Sequence, residues 1–179
     1  MKKIISFISC LFILSMSCAQ SIYTHAVTTI EGQNKSMADF QGKKILIFTL
    51  PIQQNVSNDS LLYSIDSLQE VHANSLVVIG VPSYEDGYTL SIKNDLKNWY
   101  RSRLNNEVII SEGVFTRQTS GSQQHALFQW LTDNNKNGSL NQDVTGPGNK
   151  FFIWTDGKLL AALGPQVKIS GSTMNNLVE

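Results

Sequence analysis

Cysteine is almost absent from this sequence of 179 residues, and its two examples, Cys10 and Cys18, both lie near the N-terminus. Residues 1–19, called the leader below, read as a removable segment, so the remaining 160 residues hold no thiol. That remainder cannot form an internal disulfide, and it has no cysteine thiolate to act as a nucleophile. A chain of this length can bury a core large enough for one stable domain.

Charge is also scarce, since only 16% of the residues are Asp, Glu, Lys or Arg. The leader contains two of the 14 basic side chains and none of the 14 acidic ones, which leaves a net charge of −2 on residues 20–179. A dedicated nucleic-acid surface needs clustered positive charge, so we expect no nucleic-acid partner.

The leader has the pattern of a signal peptide. Lys2 and Lys3 form a positive start, residues 4–16 are mostly apolar, and small residues follow at Ser17 and Ala19. The apolar run is shorter than the roughly 20 residues of a comfortable membrane span. We therefore predict cleavage before Gln20 and export to the periplasm or the medium.

An alternative keeps the exported chain on a membrane. Ser17 and Cys18 resemble a lipoprotein processing site, in which Cys18 becomes the lipidated first residue. Such sites usually carry Leu three residues before the Cys, whereas here Ser15 occupies that position and Leu14 is one residue out of register. Lipid at Cys18 would tether the domain to a membrane face.

Alternating strand and helix patterns fill residues 20–179. Continuous apolar runs predict buried strands, and these runs cover 45–48, 76–81, 108–110, 151–154 and 159–163. Helical spacing predicts a first helix capped by Asn58 or Asp59, a second between Ile92 and Leu104, a third from about Gln124 and a last from about Ser170.

These elements predict one α/β domain with a central mixed sheet flanked by helices. Asp156 and Gly157 separate the last two strands and are typical of a tight hairpin turn. A further edge strand is expected between Tyr23 and Thr29.

The order of these pieces resembles the glutathione peroxidase family, which has a thioredoxin-like fold. The resemblance covers nearly all of residues 22–179. It includes an opening hairpin at 21–32, a short helical turn at 36–43, the helix beginning at His125, the Lys150–Phe151 strand start and Gly164–Pro165. The resemblance implies an oxidoreductase that reduces hydroperoxides in the oxidative stress response.

The catalytic positions that this resemblance implies are all altered. The nucleophile's position, after the first central strand, falls near Gln54, whose amide neither ionises nor accepts an oxygen atom. Glu85 stands where the family has a peroxide-polarising Gln, and a carboxylate there would disfavour a thiolate. Gly146 and Pro147 replace a Trp–Asn pair. We therefore predict a pseudoenzyme with a binding or structural role.

The altered loops are the expected place for a ligand, because loops at the carboxyl ends of sheet strands meet in such folds. Gln54, Tyr84, Glu85 and Asp86 are the candidate binding residues, alongside the alternative that they are ordinary loop residues. The partner would be an unidentified small ligand or protein. We expect no cofactor.

A second alternative is a weak calcium-dependent interaction module. Asp133, Asn135 and Asn137 occupy the first, third and fifth places of a calcium loop, and Gly138 the sixth. Val144 stands at the twelfth place, where a bidentate Glu belongs. Because His25, His72 and His125 also lack metal-ligand spacing, we predict no metal site.

Overall fold

The structure, a computed structural model, describes residues 21–179. The predicted signal peptide, its cleavage site and the lipid on Cys18 lie outside the described residues. Within residues 21–179, no helix has the length and apolar character needed to cross a membrane.

A small antiparallel hairpin opens the described chain, formed by β1 (Ala26–Thr28) and β2 (Asn34–Ser36). The expected opening hairpin is thus confirmed, and a strand does form within 23–29, but β1 pairs with β2 rather than at the edge of the central sheet. Thr29 does reach that sheet through an isolated bridge to Ser111.

The central sheet has five strands: β3 (Lys44–Thr49), β4 (Leu76–Val81), β5 (Ile109–Ile110), β6 (Lys150–Ile153) and β7 (Leu159–Leu163). Their order across the sheet is β5-β4-β3-β6-β7. β3, β4 and β5 run parallel, β6 runs antiparallel to β3, and β7 runs antiparallel to β6. Every residue of β3, β4 and β6 is buried, as unbroken apolar runs predict for strands covered on both faces.

Residues 21–179 also form five α-helices: α1 (Val56–Val71), α2 (Lys93–Arg101), α3 (Ala126–Thr132), the single turn α4 (Asn134–Asn137) and α5 (Ser172–Val178). Successive side chains of β3 point to opposite faces of the sheet. Leu46 and Phe48 belong to the core cluster that includes α1, α2 and α5, and Ile45 and Ile47 belong to the one that includes α3. The mixed sheet flanked by helices confirms the predicted fold class.

Of two local predictions, one is wrong and the other is confirmed. The predicted cap of α1 at Asn58 or Asp59 is wrong, because Asn55 caps the helix by accepting a 2.9 Å hydrogen bond from the Asn58 backbone N–H. Asp59 instead accepts a 2.7 Å hydrogen bond from the Trp99 indole and so links α1 to α2. The hairpin turn is confirmed, with Gly157 at a φ of +81° between β6 and β7.

Candidate functional site

Three loops meet at the carboxyl ends of β3 and β4, and they contain the altered catalytic positions. The first loop follows β3 and contains Gln54, the second follows β4 and contains Glu85, and the third precedes β6 and contains Gly146. Leu50 donates a 2.9 Å backbone hydrogen bond to the Val81 carbonyl, which joins the first loop to the second. Gly148 donates a 2.7 Å backbone hydrogen bond to the Thr49 carbonyl, which joins the third loop to β3. The parallel pairing of β3 with β4 causes this convergence.

Gln54 lies in the first loop, one residue before the cap of α1, and its side chain is exposed. It lines a cavity of about 230 Å³, together with Ile52, Ile92, Asp95, Leu96 and Trp99. The cavity walls are therefore mainly apolar, with the Gln54 amide and the Asp95 carboxylate as the polar groups.

Glu85 lies in a short 3-10 turn of the second loop, and its carboxylate is a hub of internal hydrogen bonds. The carboxylate accepts from the backbone N–H groups of Thr116 at 2.9 Å and Arg117 at 2.8 Å, and from the Ser120 hydroxyl at 2.7 Å. The Ser83 hydroxyl donates to it as well. Glu85 thus fastens the segment 116–120 to the second loop.

These hydrogen bonds set the charge state of Glu85. Desolvation by burial is the largest single influence and raises the pKa of the carboxyl group. The combined hydrogen bonds from Ser83, Arg117, Ser120 and Thr116 outweigh it and lower the pKa of Glu85 from 4.5 to about 2. Glu85 is therefore a fixed, fully paired anion rather than a proton donor at neutral pH.

The two neighbours of Glu85 are also engaged within the protein. Asp86 forms an ion pair with Arg117. Burial nevertheless raises the pKa of Asp86, and the Glu85 charge acts in the same direction. The Tyr84 ring packs against Tyr88 at 5.3 Å and against Phe115 at 4.9 Å between centroids.

Gly146 and Pro147 lie in the third loop. The Gly146 carbonyl accepts a 2.8 Å hydrogen bond from the buried Thr49 hydroxyl, and the Gly146 N–H donates to the Asn149 side chain at 3.2 Å. Pro147 is exposed. The Gly146 backbone fastens this loop to β3, and its φ of +155° is a conformation that suits glycine.

The four candidate binding residues lie in two different surroundings. Gln54 faces the cavity beside α1 and α2, whereas Tyr84, Glu85 and Asp86 contact the segment 115–120. The two groups approach each other where Ile52 of the first loop meets Gly87, at which a Cβ atom would lie 3.0 Å from Ile52 Cδ1.

Lys150, which lies beside these loops, is buried, and the sequence does not predict this burial. Lys150 begins β6 and is 1% exposed, and its ammonium group donates to the Gly148 carbonyl at 2.6 Å and the Gly164 carbonyl at 3.3 Å. It also lies 5.3 Å from the centroid of the Phe48 ring. Desolvation lowers the pKa of Lys150 to about 8. The sequence signal was a charged residue at the head of an apolar strand.

The residues of the calcium alternative form a helical turn instead of an open loop. Asp133 caps α4 by accepting a 3.0 Å hydrogen bond from the Asn135 N–H. The Asn137 side chain is buried and donates to the carbonyls of Trp130 and Leu140 at 2.8 and 2.9 Å. Because Asn137 points into the protein, these side chains do not converge on one ion.

The histidines have structural positions. His125 caps α3 through Nδ1, which accepts a 3.3 Å hydrogen bond from the Leu127 N–H, and the His25 ring lies 6.0 Å from the Trp130 ring. Desolvation lowers the pKa of both histidines, and the nearby His125 lowers that of His25 further. Within residues 21–179, no three His, Cys, Asp or Glu side chains are grouped to hold a metal ion.

Comparison with known proteins supports the fold. The chain is 23% identical to glutathione peroxidase 1 of Caenorhabditis elegans over 146 residues, which is 81% of this chain and 87% of that protein. No family model matches the chain.

Solved structures of glutathione peroxidases share the architecture. Trgpx in its apo form superposes with a TM-score of 0.65 at 16% identity, and T. cruzi GPX1 with 0.63 at 14% identity. Each match covers 89% of this chain and 95% of the other. The exposed lipoprotein thioredoxin Etrx1 of Streptococcus pneumoniae has a TM-score of 0.55 at 18% identity, covering 86% of this chain and 96% of its own. The chain therefore has a thioredoxin fold of the glutathione peroxidase kind.

Proposed function

We propose that this chain is an exported glutathione peroxidase-like protein that has lost thiol peroxidase activity and acts by binding. The observation that carries the proposal is the lack of any cysteine after residue 18 in a chain with this fold. Thiol peroxidases need an ionisable, oxidisable sulfur at the start of the first central helix. Here that place holds Gln54 and the capping residue Asn55.

The surroundings of Gln54 support the same proposal. In the second loop, Glu85 keeps its negative charge because its carboxylate is paired with four donors. In the third loop, Gly146 contributes only backbone groups. None of the three positions, Gln54, Glu85 and Gly146, supplies a sulfur nucleophile.

The first loop is the part of this site best suited to a ligand. Gln54 is exposed at a cavity with apolar walls, and its amide can both donate and accept hydrogen bonds. The carboxylate of Glu85 is already saturated by internal donors, so it has a structural role in this proposal. The ligand class we favour is small and largely apolar, with a polar group that reaches the Gln54 amide.

Export is the second part of the proposal. The leader has the order of a signal peptide, and Etrx1, which shares the fold, is described as an exposed lipoprotein. Both processing routes remove Cys10. Cleavage before Gln20 also removes Cys18, and lipidation converts its thiol into a thioether.

The runner-up function is a peroxidase of the oxidative stress response, which the resemblance to glutathione peroxidases favours. The test measures consumption of hydrogen peroxide and of a lipid hydroperoxide by the purified chain, with glutathione and a thioredoxin as donors. We expect peroxide to be consumed no faster than by the thiol donor without protein, both for the natural chain and for Glu85→Gln. Donor-dependent consumption would favour the peroxidase, and its loss in Glu85→Gln would assign the activity to the carboxylate.

A further inference from the structure

An exposed apolar patch surrounds the β6–β7 turn, at the end of the sheet opposite the three loops. β6 runs antiparallel to β3, with Lys150 beside Phe48 and Ile153 beside Ile45, so the turn that follows Ile153 lies at the other end of the sheet. Trp154 is 40% exposed and Leu160 is 48% exposed. Together with Leu159 they line a depression of about 340 Å³, called the hairpin patch below.

The described chain begins beside this turn. The Ile22 N–H donates to the Gly157 carbonyl at 3.4 Å, and the Tyr23 hydroxyl donates to the Thr155 carbonyl at 3.0 Å. A Cβ atom on Gly157 would lie 2.7 Å from Ser21 Oγ, which shows how closely the turn approaches the start of the described chain.

The distance along the chain limits where an anchor at Cys18 could be. Cys18 precedes Ser21 by three residues, and an extended chain of that length spans about 11 Å. A lipid on Cys18 would therefore hold the β6–β7 turn close to the bilayer surface, with the Gln54 cavity at the far end of the domain.

The side chains of the hairpin patch suit a lipid interface. An indole is preferred at the boundary between headgroups and acyl chains, where its ring is apolar and its N–H remains polar. The Lys44 ammonium lies 4.5 Å from the Trp154 ring centroid. Asp156 and Lys158 form an exposed ion pair at 3.0 Å, so the turn itself has little net charge.

We infer that the hairpin patch lies against the lipid bilayer in the membrane-attached protein, and that Trp154 and Leu160 enter its interface. This inference rests on the lipoprotein form of the proposed export. A competing occupant is a second copy of the chain, since β7 is an edge strand with β6 as its partner in the sheet. The anchor at Cys18 favours the bilayer, because it fixes which side of the domain faces lipid.

The test is quenching of tryptophan fluorescence by lipids brominated in their acyl chains. The chain is expressed from its full sequence in an exporting bacterium, recovered from the membrane fraction and reconstituted into zwitterionic vesicles. Trp99 and Trp130 are 6% and 1% exposed, so they supply a background that Trp154→Phe measures separately. We expect brominated vesicles to quench the natural chain by a larger fraction than Trp154→Phe.

A pair of leucine variants makes the test specific to the patch. Leu160→Ser should weaken insertion about fivefold, as expected for roughly half-burial of one leucine, and should reduce the Trp154 quenching. Leu90→Ser is the matched control, because Leu90 is 71% exposed in the segment that follows β4. It should leave the quenching unchanged.

The N-terminal mass separates this inference from the proposal it rests on. A lipidated N-terminus with equal quenching in the natural chain and Trp154→Phe would overturn the inference and leave export intact. An unlipidated N-terminus would overturn the lipoprotein route and the inference with it. A dimer in which Trp154 is shielded both from brominated lipid and from aqueous acrylamide would also overturn it, in favour of the second copy.

Discussion

The Glu85 carboxylate accepts a 2.8 Å hydrogen bond from the backbone N–H of Arg117, although the two residues are 32 positions apart. This contact changes the interpretation of the position that the family resemblance identifies as catalytic. The carboxylate ties the second loop to the segment before α3, and its bonding capacity is used inside the protein. Glu85 therefore holds two loops together, whereas the Gln54 side chain is exposed and available to a ligand.

Glu85→Gln should destabilise the protein by about 1–3 kcal/mol at neutral pH. The NH2 group of the Gln amide would face N–H and O–H groups that now donate to the carboxylate, so these donors would lose their acceptor. The folded pKa of about 2 lies below the ordinary 4.5, so the charged form stabilises the protein above pH 4.5. That contribution is lost as the pH falls from 4.5 towards 2. Urea unfolding at pH 7 and pH 3 measures the difference.

The control for this variant is Glu70→Gln, at an exposed position of α1, which should change stability by less than about 0.5 kcal/mol. The same loss of stability in Glu85→Gln at pH 3 and pH 7 would show that the carboxylate charge is not the cause.

The natural protein should become more stable at alkaline pH, and Lys150→Met should abolish this gain. Because burial lowers the folded pKa of Lys150 to about 8, the unfolded chain binds more protons than the folded one between pH 8 and 10.5. The natural protein should therefore gain stability relative to Lys150→Met over this range, by an amount of the order of 1–3 kcal/mol. Urea unfolding at steps from pH 7.5 to 10.5 follows this gain.

Lys158→Met serves as the comparison for Lys150→Met, because the Lys158 side chain is 81% exposed. Lys158→Met keeps the buried Lys150, so it should gain stability over this pH range as the natural protein does. Parallel stability curves for the natural protein and Lys150→Met would mean that the buried ammonium keeps an ordinary affinity for its proton.

Asn137→Ala should lower the free energy of unfolding by about 2–3 kcal/mol, since it leaves buried carbonyl and N–H groups without partners. The Asn137 side chain bonds to the Trp130 carbonyl and to both backbone groups of Leu140. Asn135→Ala, at an exposed position of the same turn, should cost under about 1 kcal/mol. Thermal unfolding measures both variants.

Millimolar calcium should leave the melting temperature unchanged in the natural protein and in both asparagine variants. A calcium-dependent rise in the natural protein that Asn135→Ala abolishes would contradict the structural role of this turn and restore the calcium alternative.

Much of the fold was predictable because its strands are continuous apolar runs. The runs at 45–48 and 76–81 became β3 and β4, and Asp156–Gly157 became a tight turn, since a short buried strand and a hairpin turn each carry a local signature. The edge strand expected at 23–29 was misplaced because pairing partners are set by tertiary contacts. Asn55, Asn58 and Asp59 all lie near the start of α1, and each is a residue type that caps helices. The backbone conformation decides that Asn55 is the cap.

The site was less predictable than the fold. The sequence identified Gln54, Glu85 and Gly146 as altered positions, yet it could not show that Glu85 bonds to Thr116 and Arg117, because such pairing depends on how a distant loop folds back. The burial of Lys150 was not predictable for the same reason, since the carbonyl groups that bind its ammonium come from the loops at 148 and 164. Side-chain type alone does not reveal burial.

The most direct test of the central claim is a search for a reactive thiol in the protein after expression from its full sequence in an exporting bacterium. The recovered chain is treated with hydrogen peroxide, then with a thiol-alkylating reagent before and after reduction, and its intact mass is measured. We predict a chain that begins at Cys18 or later and gains no alkyl group under any condition. A chain that retains Cys10 or Cys18 as a free thiol, oxidised by peroxide and recovered by reduction, would contradict the account.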